Sequence, residues 1–316
     1  MATGEVRQSV TETATAIADM EIRGAAAIAE ATATALREQA VQSEAADADR
    51  LRAELRAAAR HLYDTRPTAV SLPNTLRYVL GRASGEDVDA VRESVVAAVA
   101  EFCDRLDRAQ TDLGTIGASR LQDGDTVLMH CHSTDALACL EAALDQGKDI
   151  AAIVKETRPR RQGVLTAHHL DDLGVDVRFV VDSAAHRMLA EADHVLVGAD
   201  TITATGTVIN KIGTAGLAVS ARERDVPVTV AAQTLKLDPE TLSGGGVDIE
   251  HRADAEVLDA EARTDLDVDI VNPAFDETPP RYVDAIVTER GQFPPESIVT
   301  LMRDLYGSEP GRPWEE

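Results

Sequence analysis

The feature that most limits what this chain can fold into is a change of period near residue 121. Before it, apolar residues recur at helical spacing; after it, short Val/Ile/Ala runs alternate with helical stretches. The runs 125–129, 150–154, 177–181, 194–197, 228–232 and 285–287 read as strands, with crossover helices over 134–145, 165–173, 183–191, 208–224 and 296–305. Strands alternating with helices predict a doubly wound parallel sheet. Between about 5 and 110, segments such as Ala27-Ile28-Ala29 to Leu36 and Val91 to Phe102 predict helices only, punctuated by the Arg66-Pro67 and Leu72-Pro73 steps. The expected class is α/β: an all-helical N-terminal domain over 1–118, then a Rossmann-like doubly wound parallel sheet domain over 119–316.

Charge narrows the function classes. The 316 residues carry a formal net charge of -24, and only Lys148, Lys155, Lys211 and Lys236 among the 31 basic residues are lysines. Phosphate backbones and anionic membranes need a basic face, so neither nucleic acid nor membrane is an expected partner. An acidic, arginine-for-lysine balance suits a salt-loving cytosol, where cations screen the self-repulsion. Cys103, Cys131 and Cys139 lack the spacing of a zinc knuckle or redox pair, and no charged start followed by an apolar core opens the chain. A cytoplasmic location is expected, with no metal and no cofactor.

In open parallel sheets, ligands collect beyond the carboxyl ends of the strands. Two runs end there in reactive groups: Val127-Leu128-Met129-His130-Cys131-His132-Ser133 and Val195-Leu196-Val197-Gly198-Ala199-Asp200. Ser133 or Thr134 suits a helix N-cap, and a thiol beside a helix N-terminus is favoured as thiolate, so Cys131 is a candidate base or nucleophile rather than an inert core thiol. Cys139, on the apolar face of the following helix, is expected in the core. Asp200, where a buried strand surfaces, is either a cap or a poorly solvated carboxyl that keeps its proton as a general acid. His130 and His132 are expected to be structural. Asn210 and Lys211 are expected to open a helix, and Lys211 and Lys236 to attract phosphate. Gly24, in Ile22-Arg23-Gly24-Ala25-Ala26, suggests close approach to a ligand or another backbone. These residues together fit proton transfer on a phosphorylated small molecule.

The blocks IRGAAAIA, TRPTAVSLPN, IGASRLQDGDTVLMHCHS, KETRPRRQG, VDSAA, VGAD, INKIGTAGLA and PPRYVDAIVTERG, in this order from about 20 to 307, resemble the archaeal ribose-1,5-bisphosphate isomerases. Methylthioribose-1-phosphate isomerases and the regulatory subunits of the exchange factor for initiation factor 2 share that fold. The regulatory subunits lack the cysteine and aspartate pair, and the methylthioribose enzymes usually read His-Cys-Asn-Thr-Gly where this chain reads His130-Cys131-His132-Ser133-Thr134. Both remain the alternatives to a ribose-1,5-bisphosphate isomerase. The resemblance implies Cys131 as proton acceptor and Asp200 as proton donor. It also implies substrate contacts from Arg23, Gly24, Ala25, Ala26, Arg66, Ser133, Thr134, Asp135, Asn210, Lys211 and Lys236, although a carboxylate at Asp135 is unexpected beside a phosphate. It implies further a hexamer built as a trimer of dimers, AMP as activator, and a substrate drawn from nucleotide breakdown with its product passed to a rubisco.

Overall fold

The computed structural model describes residues 5–66, 68–259, 261, 264 and 266–315, so Pro67, expected to punctuate the helical half, lies outside the described residues. The first compact unit extends to Arg108 and takes in the chain from Glu309 onward; the second runs from Ala109 to Ser308. The boundary therefore differs from the expected 118/119 in two places. It falls inside a long helix with no break in its pattern, and the last residues return to the helical unit.

That unit contains α1 (Gln8–Ala18), α2 (Ala25–Gln42), α3 (Ala48–Tyr63), α4 (Ser71–Leu80) and the first part of α5 (Val88–Ala118). Leu36, Leu51, Leu55, Leu62, Leu72 and Leu76 are fully buried in it, each such side chain contributing about 1.5–3 kcal/mol over exposure. Asp47 starts α3 by accepting the Arg50 N–H at 2.8 Å, a cap of about 1 kcal/mol. The C-terminal return has a physical cause: Trp314 is buried, its ring centroid 5.2 Å from that of Tyr63, and its carbonyl accepts from Arg60 Nη1 at 2.6 Å.

The second unit holds β1 (Thr126–Met129), α6 (Thr134–Asp145), β2 (Ala151–Lys155), α7 (Gly163–Asp172), β3 (Asp176–Val180), α8 (Ala185–Met188) and β4 (His194–Gly198). After these come β5 (Thr201–Ile202), β6 (Val208–Lys211), α9 (Thr214–Arg222), β7 (Val228–Ala231), β8 (Phe275–Thr278), β9 (Ala285–Thr288), β10 (Gly291–Phe293) and α10 (Ile298–Tyr306). The main sheet has the order β10-β9-β7-β4-β1-β2-β3 and is parallel except for β10. Both of its faces are covered. Along β1, Val127 and Met129 pack in one core with Leu140 and Leu170, while Leu128 packs in the other with Val195, Val197 and Leu217. The expected α/β doubly wound architecture is the one found.

One expected helix is corrected. Residues 208–211 are not its start but strand β6, which pairs antiparallel with β5 and β8 in a separate small sheet. The helix begins only at Thr214, after Gly213 turns the chain at φ 98°. A run of Val and Ile with partners on both sides lies flat in a ladder, whatever helical pattern follows it.

Candidate active site

The chain enters the main sheet at β1, adds β2 and β3 on one side, then returns to place β4, β7 and β9 on the other. The strand order therefore switches between β1 and β4, which are hydrogen-bonded neighbours with Met129 opposite Leu196. Such a switch point leaves a crevice beyond the strand ends. Cys131 follows one of these two strands and Asp200 the other.

Beyond Met129 the alternation of β1 sends His130 toward the face that carries α9. There it is buried, and its Nε2 donates to the Ile212 carbonyl at 2.9 Å. Burial, reinforced by the Lys155 cation, lowers the His130 pKa to about 4, so the ring is neutral and Nδ1 is an acceptor. Cys131 then leaves the strand with φ 71°. Its N–H donates to Thr157 Oγ1 at 2.9 Å, and its carbonyl accepts from the Thr166 hydroxyl at 2.9 Å. Because that hydroxyl has spent its proton, His132 must donate to it through Nδ1, 3.0 Å away. Both histidines thus serve structural roles, as expected.

Thr157, after β2, has φ 63°. Asp182, after β3, accepts its N–H at 3.1 Å and that of Arg158 at 2.8 Å. Lys155, buried at the end of β2, lies 3.7 Å from Asp182 and donates to the Gly213 carbonyl at 3.5 Å. Burial lowers its pKa, while Asp182 and Asp276 oppose that. Asp276 in turn accepts the N–H groups of Gly213 and Ala215 at 2.7 and 3.1 Å, at the start of α9. Gly213 is needed here for its left-handed φ, and His130 and Lys155 stand 3.4 and 3.5 Å from where a side chain would begin.

The cations gather on the same crevice. Lys211, at the end of β6, sits 4.6 Å from the centroid of the Phe275 ring. Lys236 follows β7 and is 2.8 Å from Asp135. Asp135 is 1% exposed and also accepts from the Gln233 N–H and Nε2, both at 3.1 Å. Its carboxylate is therefore committed to Lys236 and Gln233, which accounts for an acid in the first turn of α6. Ser133 caps α6, accepting the Ala136 N–H at 3.3 Å, and Thr134 is exposed beside it. Asn210 is buried and donates to Thr214 Oγ1 at 3.0 Å.

Two expected environments are corrected. The ligand-free Cys131 thiol is not favoured as thiolate: burial pushes its pKa up to about 11, with Asp200 adding to the rise and Lys211 and Lys236 opposing it. The cap of α6 and two lysines do not outweigh loss of solvent. Asp200 is exposed rather than poorly solvated. Cys139 is in the core as expected, its thiol pushed up to about 12 by burial.

Arg23, Gly24, Ala25, Ala26 and Arg66 all belong to the helical unit, with Arg23 and Gly24 exposed and Arg66 half-buried. At Gly24 a φ of 87° turns the chain into α2, a conformation that suits glycine, and no atom of the described residues lies within 4 Å of where a Cβ would stand. The residues that sequence reasoning passed over are Lys155, Thr157, Asp182 and Gln233. Lys155 carried one signal, a lone lysine ending a strand in a chain with four.

Comparison with known proteins places this arrangement. The sequence of the Initiation factor 2 subunit family matches residues 21–295. The chain belongs to that family. Ribose 1,5-bisphosphate isomerase of Haloferax volcanii is 64% identical over 312 residues, covering 98% of this chain and 97% of that protein. The protein of the same name from Haloterrigena turkmenica is 59% identical over 320 residues, 98% of each. Among solved structures, 5-methylthioribose 1-phosphate isomerase of Pyrococcus horikoshii superposes with a TM-score of 0.78 at 32% identity, covering 95% of this chain and 88% of that one. Among the described residues, no helix is long and apolar enough to cross a membrane.

Proposed function

We propose that this chain, an isomerase, converts α-D-ribose 1,5-bisphosphate to D-ribulose 1,5-bisphosphate, with Cys131 as base and Asp200 as acid. One observation carries the reading: the thiol and the carboxyl follow the two strands that flank the switch point, with Lys211 and Lys236 both acting on the thiol. The identity to the two archaeal proteins of that name supports the substrate over the methylthio sugar.

The chemistry follows from the substrate. Phosphate on the oxygen of carbon 1 prevents opening to a free aldehyde, so the ring must open another way. Asp200 protonates the ring oxygen as its bond to carbon 1 breaks, while the Cys131 thiolate takes the proton from carbon 2. That leaves a phosphoenol between carbons 1 and 2. Carbon 1 then takes a proton from the Cys131 thiol as the carbon 2 hydroxyl passes its own to the Asp200 carboxylate, so the ketose forms and both groups regain their starting states. Lys211 and Lys236 hold the phosphates, and the resemblance adds Arg23, Gly24, Ala25, Ala26 and Arg66 as substrate contacts. In the same reading the chain works as a homo-oligomer, AMP activates it, and its substrate and product link nucleotide breakdown to a carboxylating enzyme.

Burial keeps the ligand-free thiol protonated near neutrality, so in this reading the thiolate forms as the substrate binds. The deciding experiment incubates the protein in molar KCl with ribose 1,5-bisphosphate and, separately, methylthioribose 1-phosphate, with and without AMP, followed by phosphorus NMR. Cys131→Ala and Asp200→Asn are each expected to lower turnover of the bisphosphate by ~10²–10⁴ while KM holds. Turnover of the methylthio sugar alone, or a Cys131→Ala variant at near-normal rate, contradicts the reading.

A further inference from the structure

We infer that Thr157 is a positioning residue for Cys131: its hydroxyl holds the catalytic residue in a left-handed backbone conformation that the strand would not otherwise adopt. The inference rests on the role proposed for Cys131. Two residues that disfavour positive φ, a cysteine at 71° and a β-branched threonine at 63°, meet at the ends of adjacent strands. For a β-branched residue such a φ is an outlier, costing on the order of 1–3 kcal/mol, and it persists only where the surroundings over-determine it.

The surroundings here do so. Thr157 is 1% exposed, and its Oγ1 accepts the Cys131 N–H at 2.9 Å. The single proton on that oxygen goes to the Lys155 carbonyl at 3.2 Å or to His130 Nδ1 at 3.3 Å, both acceptors. One hydroxyl therefore ties β1 to β2 at the residue that carries the thiol. Asp182 fixes Thr157 from the other side by taking its N–H, and Lys155 neutralises Asp182 without access to solvent. Their common product is the position of the Cys131 backbone, and a displacement of about 1 Å at a reacting group costs on the order of 10²-fold in rate.

The test compares Thr157→Val, which keeps the branched shape and loses the acceptor, with Thr157→Ser, which keeps the hydroxyl. Two readouts are taken on the full chain in molar KCl: kcat and KM for ribose 1,5-bisphosphate, and the rate of iodoacetamide alkylation at Cys131, resolved from Cys103 and Cys139 by peptide mass spectrometry. Thr157→Val is expected to lower kcat ~10–100-fold with KM within about threefold, and to change Cys131 alkylation at least about fivefold, while Thr157→Ser stays within about threefold of the parent in both. A Thr157→Val variant within about twofold of the parent in kcat and alkylation overturns the inference, as does a loss in KM alone or a serine variant as impaired as the valine one. If the valine variant does not fold, Asp182→Asn is expected to lower kcat ~3–10-fold and to shift alkylation in the same direction; no change in either is equally fatal. Alkylation needs no substrate, so a protein inactive on the bisphosphate whose Cys131 still responds to Thr157 loses the proposed reaction and keeps the positioning.

Discussion

The end of β1 and the end of β4 face one crevice but are built in opposite ways. At β1, Cys131 has its N–H and its carbonyl both engaged by buried threonines, and Asp135, in the first turn beyond it, is spent on Gln233 and Lys236. At β4, Asp200 is exposed, and the bond that fixes it runs through its backbone, from its N–H to the Ile209 carbonyl at 2.9 Å. The first end is ordered before a ligand arrives, and the price is a thiol that holds its proton. The second leaves its carboxyl to solvent, so what that group does is decided by the substrate that displaces the water. Preorganisation and solvation thus pull against each other at β1, whereas at β4 the carboxyl keeps its solvent.

The contrast is broken most directly by removing one acid from each end. Asp135→Ala leaves the Gln233 donors unmatched in a buried position and frees Lys236 of its counter-charge. The expected loss is about 2–4 kcal/mol of stability, below the full cost of breaking a buried pair because Lys236 retains some access to water. Asp200→Ala is expected to stay within about 0.5 kcal/mol of the parent, as at other exposed positions. Urea unfolding in molar KCl checks both, and equal losses at the two sites would erase the distinction. A Lys236→Met change added to Asp135→Ala sharpens it: the pair should cost less than the sum of the two alone, since the stranded cation is gone.

Much of this was legible in the sequence because local chemistry determines it. Val127 to Met129 and Val195 to Val197 declare buried strands, whatever their neighbours, so Cys131 and Asp200 could be placed at strand ends, and Ser133 before an apolar helical pattern is a cap by composition alone. The small sheet was not legible. Its strands β5, β6 and β8 have two to four residues, and Lys211 looks helical until β8 supplies the partner that holds it extended. Thr157, Lys155 and Asp182 fall inside the blocks KETRPRRQG and VDSAA, but their roles were not legible, for a related reason. Lys155 and Thr157 end or follow β2 and Asp182 follows β3, and they meet Cys131 only through the register of β1 on β2 and β2 on β3, which no short window of sequence contains. The protonation of Cys131 failed likewise: the cap was local and visible, but the burial that outweighs it was not.

The smallest expected effect tests whether the ordering at β1 carries a liability that β4 lacks. His130 is held neutral, its pKa lowered from 6.5 to about 4 by burial and by Lys155. Between those values the unfolded chain binds the proton that the folded one refuses, so stability falls as pH falls. The contribution is fully present above pH 6.5 and is lost progressively toward pH 4; on these values about 2 kcal/mol has gone by pH 5 and roughly 3 by pH 4. His130→Gln removes the titrating ring and forfeits some stability at pH 7.5, where the imidazole is neutral and bonded to Ile212. Its disadvantage relative to the parent should therefore shrink by about 2 kcal/mol between pH 7.5 and pH 5, since carboxylates common to both chains cancel in the difference. Unfolding curves at the two pH values that stay parallel would mean that the ring accepts a proton in place, with the Asp182 carboxylate 4.0 Å away compensating its charge, and that the β1 end is more forgiving than its burial implies.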